Sequence, residues 1–224
     1  ATPANFSAHA VNRKNYNDIS EQQVFQNMDI VFGGGYKFFT SAEREDGQDL
    51  ISEIKGQGYK LVADKNQLST VNSGKVFGLF AQTDLPYELD RKADEPTLAE
   101  LTNKAIQLLG KDKDGFFLMV EGSKVDWAAH NNAPAALVGD IKAFDDAVGI
   151  ALNYAKTNKD TLVIVASDHG NGGITMGNEA TNGNYSTLPL SAFTDTLKKV
   201  HMTEESLAKA IIKNEEQTRN LIQT

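Results

Sequence analysis

Two continuous apolar runs, Phe116-Phe117-Leu118-Met119-Val120 and Leu162-Val163-Ile164-Val165-Ala166, constrain the fold of this chain more than any other feature. Each has the length of a strand and lacks polar alternation, which is the pattern of a central strand covered on both faces. Between them, Leu137, Ile141, Phe144, Val148 and Leu152 recur at helical spacing from Ala135 to Lys156. A strand, a helix and a strand in that order predict a mostly parallel sheet flanked by helices in an α/β fold.

The rest of the chain extends this pattern. Asp29-Ile30-Val31-Phe32, stopped by Gly33-Gly34-Gly35, reads as a buried strand entering a tight loop. Leu50, Ile51 and Ile54 fit a helix ending near Gly56–Gly58, followed by strands at Tyr59–Ala63 and Lys75–Ala81. Pro96 stands ahead of Leu98, Leu101, Ala105, Ile106, Leu108 and Leu109, an amphipathic helix that ends at Gly110. Ser20 with Gln23 matches a capping box opening a short helix to about Met28, and residues 1–18 read as extended or looping. After Gly177, a loop over Asn178–Ser186 leads into two or three polar helices with Leu197, Leu207, Ile211, Ile212 and Leu221 as their apolar points. Residues 1–177 are thus expected to form the α/β core, and residues 178–224 a polar helical insertion or subdomain.

Charge and composition remove several functions. With 22 basic against 30 acidic residues among 224, the net charge of −8 argues against a nucleic-acid surface. No cysteine is present, so disulfides, zinc-thiolate sites and thiol nucleophiles are excluded, and any metal must be held by oxygen and imidazole. No apolar run approaches the roughly 20 residues of a membrane span. Ala1-Thr2-Pro3-Ala4-Asn5 lacks the basic start and apolar stretch of a signal peptide, and the absent initiator Met points to processing or truncation.

Functional groups of open α/β sheets sit just beyond the carboxyl ends of strands. Two segments satisfy that rule. Glu121-Gly122-Ser123-Lys124-Val125-Asp126-Trp127-Ala128-Ala129-His130 follows the first apolar run, and Ser167-Asp168-His169-Gly170-Asn171-Gly172-Gly173 follows the second. Asp126 and His130, four apart, share a face of a short helix beginning near Ser123. Asp168 and His169 lie on a glycine-rich turn, and Glu121 at its strand end reaches the same pocket to serve a different ion. Carboxylate with imidazole suits catalytic zinc; carboxylate with hydroxyl suits magnesium. The plainer alternative is that these side chains only satisfy backbone groups at strand ends.

The pattern from Val120-Glu121-Gly122 through Asp126 to His130, then Thr161–Ala166 into Ser167-Asp168-His169, closely resembles the alkaline phosphatases. Ala1-Thr2-Pro3-Ala4, Ser7-Ala8-His9-Ala10-Val11-Asn12-Arg13 and Met28–Gly35 resemble the same family. The resemblance implies an alkaline-phosphatase-like three-layer α/β/α fold. It implies that Asp126 and His130 bind one zinc, Asp168 and His169 a second, and Thr2 and Glu121 a magnesium. Arg13 would grip two phosphate oxygens with its planar fork. Trp127 stands where other members carry His or Lys near the phosphate, so it is a candidate phosphate-site contact. The implied chemistry is hydrolysis of phosphate monoesters by in-line attack between two metal ions roughly 4 Å apart, in a periplasmic or secreted homodimer.

The departures from the family are equally specific. The bridging Asp, the nucleophilic Ser and the third zinc-ligating His of the family have no counterpart in this sequence. His201 reads as a surface side chain, His9 has no ligand role in the match, and Ser167 is rejected as the nucleophile. The chain is therefore expected to be an internal piece of an alkaline phosphatase, inactive alone and prone to aggregate or to need companion pieces. Two rivals stand beside that reading. One is another metal-dependent phosphatase, mutase or sulfatase-like enzyme of the wider superfamily; the other is a non-catalytic metal- or phosphate-binding module.

Overall fold

The computed structural model describes residues 2–213. Ala1 and residues 214–224, with the apolar point Leu221, lie outside the described residues. In chain order the elements are α1 (Thr2–Asn5), α2 (Tyr16–Phe25), β1 (Ile30–Gly33), α3 (Leu50–Gly56), β2 (Lys60–Val62), α4 (Lys65–Thr70), β3 (Val76–Leu79), α5 (Leu98–Leu109), α6 (Ser123–His130), α7 (Pro134–Thr157), α8 (Glu179–Asn182), α9 (Ser191–Thr194) and α10 (Glu204–Lys213). They fall into two units. The first comprises Ala1–Leu85, Lys92–Glu121 and Phe144–Val163, and the second Pro86–Arg91, Gly122–Ala143 and Ile164–Thr224.

The first unit is built on a parallel sheet of order β1-β3-β2, with Ile30 paired to Val76 and Lys60 to Val76 on its other side. Alternate residues of a strand point to opposite faces, and β3 is buried along its whole length. Phe77 and Leu79 pack with Val24, Leu50 and Ile54 from α2 and α3. Val76 packs with Leu68 and Leu101 from α4 and α5. Helices therefore cover both faces, and the α/β expectation holds. Removing the fully buried Phe77 ring would cost on the order of 3–5 kcal/mol.

The loop after β1 uses its glycines for reasons of space and conformation. A Cβ at Gly34 would run into the Thr83 carbonyl oxygen, and Gly35 sits at φ +94°. Helix α5 starts as its cap dictates: the Thr97 hydroxyl accepts from the Glu100 N–H, while Glu100 accepts from the Thr97 N–H, both at 3.0 Å.

Several sequence expectations are corrected. Residues 1–18 are not uniformly extended, since α1 lies within them and α2 already begins at Tyr16. Ser20 is consequently inside α2 rather than its cap. Its hydroxyl bridges the Phe38 carbonyl, at 3.1 Å, and the buried Arg44 guanidinium, at 2.6 Å.

The larger correction concerns the two apolar runs. Neither 116–120 nor 161–166 forms a strand, and Phe117, Leu162 and Ile164 are 74%, 82% and 77% exposed. An apolar run records only a tendency to be covered. A strand also needs a neighbour to complete its ladder, and the three-stranded ladder among the described residues does not include them.

In the second unit, α6 ends in a Schellman turn. Asn132 takes the left-handed conformation at φ +52°, the Ala133 N–H donates to the Ala128 carbonyl at 2.9 Å, and the Asn132 N–H to that of Ala129 at 3.2 Å. Ala128 and Ala133 then pack together with Tyr87 and Ala136, and Pro134 opens α7 with its φ already set for a helix. Asp140 on α7 accepts from the Glu88 N–H at 3.3 Å; burial foremost, with the nearby Glu88 charge, pushes its carboxyl up to about 6. Asp90 accepts from both the N–H and the hydroxyl of Thr203 ahead of α10. Among the described residues no helix is long and apolar enough to cross a membrane.

Candidate metal centre

Helix α6 places the first acid and imidazole where its own electrostatics favour them. Asp126 lies in the first turn and His130 in the last, so each complements the helix dipole. One turn apart, they meet: His130 Nε2 is 3.5 Å from Asp126 Oδ1.

The segment after the second apolar run brings its own pair to the same carboxylate. His169 Nε2 stands 3.4 Å from Asp168 Oδ2 and 3.9 Å from Asp126 Oδ1. The His169 N–H donates to Asp168 Oδ1 at 3.0 Å, and the Ser167 hydroxyl donates to the His169 carbonyl at 2.7 Å. His169 Nδ1 lies 3.3 Å from the Gly170 carbonyl. Nε2 faces the carboxylate oxygens of both Asp126 and Asp168.

Electron-rich atoms thus converge from both segments of the second unit. These side chains are substantially exposed, from 36% at Asp126 to 69% at Asp168, and polar contacts this exposed stabilise a fold little. The donor set is the borderline nitrogen-and-oxygen chemistry that zinc takes at open sites. The groups are not closed into a finished cradle: among the described residues no three His, Asp or Glu side chains form a preformed metal site.

Asn171 was missed by sequence reasoning. Its amide Nδ2 donates to both the backbone carbonyl and Oδ1 of Asp126, each at 3.2 Å, tying the glycine-rich turn to α6 and orienting the carboxylate. The available signal was a polar side chain two residues after His169, on the same turn. Lys124 was missed as well. It is buried, with its ammonium 3.8 Å from the Trp127 ring centre and 4.5 Å from that of Tyr87.

Trp127 is on α6 between Asp126 and His130 and is 42% exposed. Thr2, Arg13 and Glu121 belong to the first unit; Thr2 opens α1, Arg13 is exposed in the loop before α2, and Glu121 is half-buried. His9 joins α2 through paired hydrogen bonds with Gln22, and His201 is exposed.

Comparison with known proteins gives a uniform result. A sequence profile described as alkaline phosphatase matches residues 1–221. Alkaline phosphatase 3 of Bacillus subtilis is 37% identical over 217 residues, covering 94% of this chain and 44% of the relative. The alkaline phosphatase of Escherichia coli is 33% identical, covering 75% of this chain and 46% of the relative. Among solved structures, the cold-active enzyme of a psychrophilic Shewanella superposes with a TM-score of 0.82 at 34% identity, covering 99% of this chain and 52% of that one. The Thermus thermophilus alkaline phosphatase superposes at 0.83 with 30% identity, covering 94% of this chain and 44% of that one. The chain spans less than half the length of these two curated relatives.

Proposed function

This chain belongs to the alkaline phosphatase family, and from that premise we propose that its residues serve the metal-dependent hydrolysis of phosphate monoesters. One observation carries the proposal: Asp126 Oδ1 lies within 3.9 Å of imidazole nitrogens from two separate segments, His130 and His169. Asp126 and His130 would hold one zinc, and Asp168 and His169 the second. Thr2 and Glu121 would hold a magnesium; a TAB5 alkaline phosphatase mutant at 37% identity carries Mg in its M3 site. Bound there, the ions supply charge neutralisation for the attacking and leaving oxygens of an in-line displacement.

The chain's own residues do the positioning. Asn171 ties the glycine-rich turn to Asp126, with one hydrogen bond to its carboxylate and one to its backbone carbonyl. Arg13 offers a planar pair of N–H groups to two phosphate oxygens, a match that Lys lacks. Trp127 presents a partly exposed ring next to the acid and imidazole of α6. In this reading residues 178–224 form a polar helical insertion, and the complete protein is a periplasmic or secreted homodimer, with companion segments of the same protein as the alternative partner.

The complete protein, loaded with zinc and magnesium, is expected to release phosphate from simple monoesters, to lose that activity on chelation, and to lose it in Asp126→Asn. Absence of metal-dependent turnover would overturn the proposal. Each zinc receives two donors from this chain, fewer than the three protein ligands usual at catalytic sites. The 224 residues by themselves are therefore expected to bind zinc in calorimetry yet to turn over negligibly.

A further inference from the structure

Helix α6 carries a buried cation that the phosphatase reading leaves without a task. Lys124 is 8% exposed, and few lysines are buried without compensation. Its ammonium lies between two aromatic faces, Trp127 at 3.8 Å and Tyr87 at 4.5 Å. Tyr87 is itself 3% exposed, and its hydroxyl accepts from Asn131 Nδ2 at 3.1 Å, at the C-cap of the same helix. Tyr87 therefore grips α6 at both ends, through Lys124 in the first turn and Asn131 past the last.

Trp127 is the free end of this stack. It sits one turn after Lys124 and one turn before His130, positions that are neighbours on a helix surface. With Lys124 over one face and 42% of the residue still exposed, the ring is held rather than buried. A cation over an aromatic face, desolvated on one side, is attracted strongly enough to select one ring orientation.

We infer that Lys124 is a positioning residue that holds the Trp127 ring as an open platform one turn from His130, fitted to stack a flat aromatic leaving group of a phosphate monoester. The inference rests on the phosphatase reading for its substrate but not for its geometry. Aryl esters gain from the platform, since stacking on an ordered aromatic ring needs no further ordering on binding. Alkyl esters have no face to offer it.

The chain contains one tryptophan, so its fluorescence reports on Trp127 alone. In the metal-free 224-residue chain, Lys124→Met is expected to make Trp127 about two-fold more accessible to acrylamide quenching and to weaken its near-ultraviolet circular dichroism. Lys124→Arg, which keeps the cation and stacks on aromatic rings, is expected to restore both. Far-ultraviolet circular dichroism checks that each variant is folded. Unchanged Trp127 signals in folded Lys124→Met, or failure of Lys124→Arg to restore them, would overturn the positioning role.

In the complete protein, Lys124→Met is expected to raise KM for phenyl phosphate about five-fold relative to KM for glycerol 2-phosphate, with kcat for the two esters changing in parallel. An unchanged ratio would overturn the platform. If the complete protein hydrolyses neither ester, the phosphatase reading fails while the fluorescence result still decides the role of Lys124.

Discussion

Asp126 Oδ1 and His169 Nε2 face each other at 3.9 Å, one carried by α6 and the other by the turn that follows the second apolar run. The carboxylate is shared, since His130 Nε2 reaches the same oxygen at 3.5 Å. Asp126→Asn removes the charge at this junction while keeping the shape. Zinc affinity of the chain, measured by competition with a chromogenic chelator, is expected to fall at least about ten-fold; an unchanged affinity would place the metal elsewhere.

Asn171 bonds to Asp126, so in the proposed metal site its effect on zinc would run through that carboxylate. Asn171→Ala is expected to weaken zinc binding about ten-fold in the native background and little further in Asp126→Asn. Additive losses in the double-mutant cycle would show that the two residues act independently.

Asp140 makes stability depend on pH. Burial raises its carboxyl from the ordinary 3.8 to about 6, so the folded protein holds the proton more tightly than the unfolded chain. The stabilisation is complete below pH 3.8 and is lost as pH rises through about 6. Asp140→Asn, which can still accept from the Glu88 N–H, is expected to melt a few degrees higher than the native chain at about pH 7.5, with the gap closing near pH 4. A gap that widens on acidification would contradict this sign.

The turn between α6 and α7 should respond to backbone chemistry alone. Asn132 holds φ +52°, where glycine is at ease and a β-branched residue is not. Asn132→Val is expected to cost about 1–2 kcal/mol in urea unfolding, and Asn132→Gly to be close to neutral.

The capping box of α5 is a local device with a local cost. Thr97→Ala removes the acceptor for the Glu100 N–H, and the expected loss is about 1 kcal/mol, read as a lower urea midpoint with an unchanged slope.

What a sequence declares about a fold follows from the range over which each signal acts. The ends of α5 were readable because the apolar stripe from Leu98 to Leu109 and the break at Gly110 lie within one element. The same holds for Asp126 and His130, which share a face simply because they are four apart on α6. The positions of β1, β2 and β3 were read to within a residue or two from short apolar runs bounded by turns. Ser20 lies inside α2 because that helix opens at Tyr16, and its hydroxyl meets Arg44 and Phe38, remote in sequence, besides the Asn17 carbonyl.

What the chain alone determined, then, was its family, its α/β character and the two acid-and-imidazole pairs, all of which reside in residue types and short spacings. Tertiary structure decided that the runs at 116–120 and 161–166 lie outside the ladder, that both histidines approach one oxygen of Asp126, and that Asn171 and Lys124 stand behind the site. The reason is physical. Helical period and capping are properties of neighbours along the chain, whereas pairing, burial and charge contact depend on which distant groups arrive at the same place.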